Sequence, residues 1–192
     1  MDAPHPTDGG SPIRIRVADL RDVPALRVLI EASVRTLSVG YLTPEQIDAE
    51  LRYVISPDTQ LIADGTYFVA EAPTGGFAAA GGWSRRRAMH GGDAFKAGHA
   101  DANEPLDPAT EAARIRAMFT HPAFVRRGLA RRIFEQARAG AAAEGFRALV
   151  LTATMPGVPL YQSLGFRILR RYDDALPDGS KVPVAEMTME IA

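Results

Sequence analysis

The chain has 192 residues, enough for one domain with a sizeable core, and a formal charge of −1. That balance argues against a nucleic-acid or membrane-surface partner, and no apolar run approaches a bilayer span. Cysteine is absent, which excludes disulfides, thiolate metal ligands and a thiol nucleophile, and suits a reducing cytoplasm, the expected location.

Met1 to Pro12 has neither a basic start nor an apolar segment, so residues 1–12 are expected to form a disordered tail and residues 13–192 a single domain. Ile13, Ile15 and Val17 alternate with Arg14 and Arg16, the two-residue period of a half-buried strand. Asp22 is placed to cap a helix with Pro24 in its first turn. Leu26, Leu29, Ile30, Ser33, Val34 and Leu37 share one face of it, and Gly40 ends it. Thr43 and Gln46 form a capping box for a second helix, with Ile47, Leu51 and Val54 as its buried side and Ser56-Pro57 as its stop. Residues 66–71 and 77–83 read as two strands joined by the glycine turn Pro73-Thr-Gly-Gly76.

Ser84 to about Glu111 is irregular and rich in Gly, Asp, Pro and His. A connection this long inside a compact domain serves as a lid, an interface element such as a homodimer contact, or a mobile segment. His90, Asp93 and His99 within it match no zinc spacing, and no metal is expected. The run Arg85-Arg-Arg87 suits either an acidic ligand or a solvated edge.

Regular structure resumes at Ile115, followed by a helix after Gly128 with Leu129, Ala130, Ile133, Phe134 and Ala137 on its apolar side. Gly145 closes that helix, and Ala148 to Ala153 is an apolar run typical of a strand covered on both faces. A short helix ends at Gly165, and two strands, Ile168 to Tyr172 and Val182 to Ile191, flank the turn at Pro177-Asp-Gly179. The order implies an α+β domain, one mixed sheet with helices on both faces.

Strand, glycine turn and helix in succession leave backbone amides free at the start of the helix after Gly128, where its dipole attracts an anion. Arg126, Arg127, Arg131 and Arg132 surround that point and complement phosphate charge; solvated arginines on a plain turn are the bland alternative. Neither GxGxxG nor GxxxxGK[ST] occurs, which sets aside two common phosphate-binding folds.

Val125-Arg-Arg-Gly-Leu-Ala130 resembles the [Gln/Arg]-x-x-Gly-x-[Gly/Ala] loop of the GNAT (Gcn5-related N-acetyltransferase) superfamily. Leu160-Tyr-Gln-Ser-Leu-Gly-Phe166 is similar to that family's Tyr-x-x-x-Gly-Phe. The resemblance implies a mixed, mostly antiparallel sheet of about seven strands, with acetyl-CoA as co-substrate and an amine of a small molecule or protein as acceptor. It places the CoA diphosphate on Val125, Arg126, Arg127, Gly128, Leu129 and Ala130, with Arg131 in reach. It puts the pantetheine arm along Met118, Phe119 and Thr120, and a further contact at Thr154, where the family often has Asn. Tyr161 matches the general acid that protonates the departing thiolate; packing against Leu164 and Phe166 is its ordinary alternative. Val125 departs from the usual Gln or Arg, which matters little if the contact is through backbone.

The general base stays open among Glu111, Glu71, His121 and His90, and His121 also suits a cap before Pro122. Tyr41 and Trp83 could line the acceptor cavity that the resemblance implies, and each suits a core or rim position equally. Transfer is expected to be direct, in a ternary complex. A non-catalytic acyl-CoA sensor on the same fold, or a general phosphate-ligand binder, are the alternatives. Acetyl-CoA consumption with an amine panel separates the first, and titration with CoA against ATP and NAD the second.

Overall fold

The structure, a computed structural model, describes residues 13–89, 91–93 and 101–191. The expected tail, His90 and His99 lie outside the described residues. In chain order come β1 (Ile15–Val17), α1 (Val23–Leu37), α2 (Pro44–Tyr53), α3 (Thr59–Ala63), β2 (Tyr67–Glu71), β3 (Phe77–Ser84) and β4 (Ala113–Thr120). α4 (Leu129–Ala143), β5 (Ala148–Thr154), α5 (Val158–Ser163), β6 (Arg167–Ala175) and β7 (Lys181–Glu190) complete the chain.

The strands form one seven-stranded sheet in the order β1-β2-β3-β4-β5-β7-β6, antiparallel throughout except where β4 meets β5. This is the mixed, mostly antiparallel α+β architecture expected. A parallel pair cannot be joined by a hairpin, and α4 supplies the crossover. Successive residues of β2 and β3 point to opposite faces, and each face has its helix. Val69 and Ala80 pack with Leu26 and Leu29 of α1, while Ala70 and Ala79 pack with Leu129 and Ile133 of α4. Covered on both sides, β3 is buried along its whole length.

Two local readings are corrected. Asp22 makes no side-chain cap to α1; Asp19 caps a preceding 3-10 turn, in a capping box that uses Asp22 as its far end. The Asp22 carboxylate is taken by Arg16, at 2.6 and 2.9 Å. α3 was not anticipated, because the stop at Ser56-Pro57 is followed directly by a new start, Asp58 accepting from the Leu61 N–H at 3.3 Å. The capping box of α2 is present, and Gln46 does more than cap. Its Oε1 accepts from the Thr43 N–H at 2.9 Å while its Nε2 donates to the Lys181 carbonyl at 2.6 Å, fixing α2 over the start of β7.

Candidate active site

β4 and β5 pair only at Ala113 with Leu149 and Arg114 with Val150, and beyond that the two strands part. The register of β4 on β3 shifts in the same region: Ala80 faces Phe119 and Gly82 faces Arg116, so Gly81 alone opposes Ala117 and Met118. This is a bulge, and Ala117 holds the left-handed φ of +53° that it requires. Such a conformation costs a non-glycine residue about 1–3 kcal/mol and persists only where its surroundings impose it. The buried Tyr67 hydroxyl donates to the Ala117 carbonyl at 3.0 Å, and Gly81 leaves room for Met118, whose Sδ would lie 2.1 Å from a Cβ there.

The parting of the strands opens a pocket of about 420 Å³. Met118, Phe119 and Thr120 of β4 line one wall, Thr154 at the end of β5 and Tyr161 of α5 another, so these expected residues converge. Tyr161 is buried, with its ring edge-on to Phe166 at 5.7 Å, and its hydroxyl makes no hydrogen bond among the described residues. Burial pushes the phenol well above its ordinary value, so it holds its proton at neutral pH. Thr154 stands at the start of a 3-10 turn without capping it.

The loop from Val125 to Ala130 is not part of the pocket wall and lies exposed at the start of α4, save for Leu129, which is buried against the sheet, and the half-buried Ala130. Arg126 and Gly128 both have left-handed backbones, with φ of +63° and +74°. The backbone N–H groups from Arg126 to Arg131 have no partner among the described residues. Alternating handedness of this kind turns successive amides toward one point, an anion-binding nest. A Cβ at Gly128 would meet nothing within 4 Å, so the glycine is required by its φ and not by neighbours in the protein. The surrounding arginines are partly engaged. Arg127 stacks over Phe124 at 5.2 Å, Arg131 donates to the Ser163 carbonyl at 3.1 Å, and Arg132 to the Ile13 carbonyl at 2.9 Å.

Sequence reasoning missed Glu50. It lies on α2, is only 4% exposed, lines the pocket, and its Oε2 has no hydrogen-bond partner among the described residues. Burial, with the charge of Asp174 second, pushes its carboxyl up to about 7. Asp174 of β6 lines the same pocket. Its signal was present, because residue 50 follows Ile47 by three and precedes Val54 by four, on the stripe expected to face the core. Arg116 was missed too: it is buried on β4, with Nη2 3.0 Å from Asp58 Oδ2, and also donates to the Gly91 carbonyl.

The candidate bases among the described residues fall elsewhere. Glu111 pairs with Arg87 at 3.1 Å and Glu71 with Arg16 at 2.7 Å, and neither lines the pocket. His121 Nδ1 accepts from the Ala123 N–H at 3.2 Å, the cap before Pro122 that its position suggested. Tyr41 lines the pocket, but Trp83 does not. Its ring is buried between Phe146 and Gly140, where a helix Cβ would come within 2.6 Å of the indole nitrogen. The Arg85 to Arg87 run is consumed by Glu144, Asp64, Glu104 and Glu111, which makes it the clasp of the insertion and not a ligand edge. No cluster of His, Asp and Glu among the described residues is arranged to hold a metal ion, and no helix among them is long and apolar enough to cross a membrane.

Comparison with known proteins now bears on this geometry. Residues 63–168, more than half of the chain, match the acetyltransferase (GNAT) domain model. Among solved structures, the GCN5-related N-acetyltransferase from Rhodopseudomonas palustris superposes with a TM-score of 0.67 at 15% identity, covering 94% of this chain and 97% of that one. PaiA N-acetyltransferase of Thermoplasma acidophilum, solved with coenzyme A, gives a TM-score of 0.62 at 13% identity, over 94% of this chain and 100% of the other. YncA of Salmonella typhimurium, solved with its cofactor acetyl-CoA, gives 0.59 at 17% identity, over 95% of each chain. No curated protein matches by sequence. The chain belongs to the GNAT superfamily of acetyltransferases.

Proposed function

We propose that the protein is an acetyl-CoA-dependent N-acetyltransferase that passes the acetyl group directly to a primary amine. The observation that supports this best is the conjunction of a parted β4–β5 pair, a phenol beside the resulting pocket, and free backbone amides at the next helix start. Acetyl-CoA supplies an activated acyl thioester. The amides from Arg126 to Ala130 would hold its diphosphate, with Val125 and Leu129 shaping the loop backbone. Arg131 keeps donors in addition to the one given to Ser163, and so remains a candidate phosphate ligand. The open edge of β4 at Met118, Phe119 and Thr120 would pair with the amide-rich arm as with an extended peptide, and Thr154 would meet it from β5. Tyr161, kept protonated by burial, would give its proton to the leaving sulfur.

Two measurements test this. Tyr161→Phe should lower kcat by about a hundredfold, in the range typical of a lost general acid, while the Kd for CoA stays within about twofold. An unchanged kcat would reduce Tyr161 to a packing residue. Gly128→Ala places a methyl in open space, so only the left-handed φ resists it, at about 1–2 kcal/mol. Its expected signature in calorimetry is a Kd for CoA raised by at least about tenfold in protein that is still folded, because the methyl intrudes where the diphosphate would lie. A folded Gly128→Ala protein that binds CoA normally would remove the loop from the site.

A further inference from the structure

We propose that the start of the β3–β4 connection is a fixed wall of the pocket, with Met89 limiting how far an acyl chain extends beyond the thioester. This rests on the acetyltransferase reading. The direction of the arm places the wall. The diphosphate loop follows Thr120, so an arm running along β4 passes Thr120, Phe119 and Met118 in that order and delivers its sulfur toward Arg116. Beyond Met118 the pocket is lined by Arg116 from β4, Val54 and Ile55 after α2, and Met89 and Gly91 from the connection. The Arg116 guanidinium donates to the Gly91 carbonyl, so Met89 lies close along the chain to an anchor at that end of the pocket. A long acyl chain and the acceptor would share this space, since both start from the thioester carbonyl.

A connection of this length serves as a lid or as structure, and the bonds on each side of Met89 decide for structure. Before it, the Arg87 N–H donates to the Glu104 carbonyl at 2.9 Å and the Ala88 N–H to the Ala102 carbonyl at 3.0 Å. The Leu106 N–H returns a bond to the Arg85 carbonyl at 2.8 Å, and Arg86 adds an ion pair to Asp64 at 2.7 Å. After it, the Gly92 N–H donates to the Val54 carbonyl at 2.9 Å and the Asp93 N–H to the Pro57 carbonyl at 3.2 Å. The Asp93 carboxylate accepts from the Thr59 N–H at 3.0 Å. Gly92 is buried so closely against the link between α2 and α3 that a Cβ would come 2.2 Å from the Ser56 carbonyl oxygen. Backbone on both flanks is thus tied to the domain, and the half-buried Met89 is held against the pocket. Its unbranched thioether fills space without a strong hydrogen-bonding group, which suits a stop.

The test is calorimetric and needs no turnover: Kd values are measured for the even-numbered straight-chain thioesters from acetyl-CoA to decanoyl-CoA with the full-length protein. Each added methylene that finds apolar cover tightens binding, so affinity should rise with chain length until the chain meets Met89, and fall beyond it. Met89→Ala removes about three heavy atoms from the wall, so the length of tightest binding should move about two carbons longer. The Kd for the first thioester beyond the parent's limit should fall at least about tenfold, with that for acetyl-CoA within about twofold. Gly92→Ala leaves Met89 in place but drives residues 91–93 off the link between α2 and α3, with which they wall the pocket. It should lengthen the limit in the same way, a change in chain-length preference that general destabilisation would not produce. Affinity that keeps rising through decanoyl-CoA in the parent, the parent's limit retained in Met89→Ala, or an unchanged limit in folded Gly92→Ala would each overturn the proposal while leaving the acetyltransferase reading standing. Failure to bind any of the thioesters would overturn both.

Discussion

Arg116→Met should destabilise the fold by about 3–5 kcal/mol, the usual cost of removing one partner from a buried ion pair. Against a typical total of about 5–15 kcal/mol this is a large share, and for a domain of this size it lowers Tm by roughly 10 °C. Arg116 and Asp58 are 3% and 1% exposed in their side chains, so solvent does not screen the pair. Desolvation dominates on the arginine, whose pKa burial depresses despite the attraction of Asp58 and Asp93. The pair does more than cancel charge. Asp58 caps α3 through the Leu61 N–H, Arg116 holds the Gly91 carbonyl, and Asp93 accepts from the Thr59 N–H at 3.0 Å. The start of the insertion is thereby clamped to α3 and to β4, one residue before the bulge. The double variant Arg116→Met with Asp58→Asn should recover much of the loss, because Asn keeps the cap and carries no charge. Thermal or urea unfolding of the three proteins checks this. A loss below about 1 kcal/mol for Arg116→Met would show that β4 is held without the pair.

The parts of the fold legible in the sequence are those specified by local chemistry. The capping box at Thr43 and Gln46 and the left-handed glycines 128, 145 and 165 each depend on residues within one turn. The bulge at Ala117 was not legible, because what sustains it is Tyr67, fifty residues away in sequence, and the space left by Gly81. Trp83 stayed open between cavity and core for a similar reason. An indole beside an expected cavity suits a ligand wall, and only the close approach allowed by Gly140 shows that it fills the core under α4. The phosphate loop and Tyr161 were visible as short motifs, whereas Glu50 has no motif. It stands out only as a charged residue on a core-facing stripe, a local disagreement of the kind that functional sites carry. The arginine run at 85–87 was open between an acidic ligand and a solvated edge, and the sequence could not choose because its counter-ions Glu144, Asp64 and Glu104 lie far along the chain.

The same buried carboxyl makes a second large effect expected, of opposite sign: Glu50→Gln should stabilise the protein at alkaline pH. The ordinary value for Glu50 is 4.5, and in the folded protein it is pushed up to about 7, chiefly by burial. The native state thus binds the proton more tightly than the unfolded chain. Its contribution to stability is complete below pH 4.5 and is lost as pH rises through about 7. Above that point the fold carries a buried charge at a cost of about 3 kcal/mol, which Gln does not impose. Parent and variant should unfold at similar temperatures near pH 4.5 and diverge by several degrees at pH 8.5, with the variant higher. Equal Tm differences at the two pH values would mean that this carboxyl does not titrate between them.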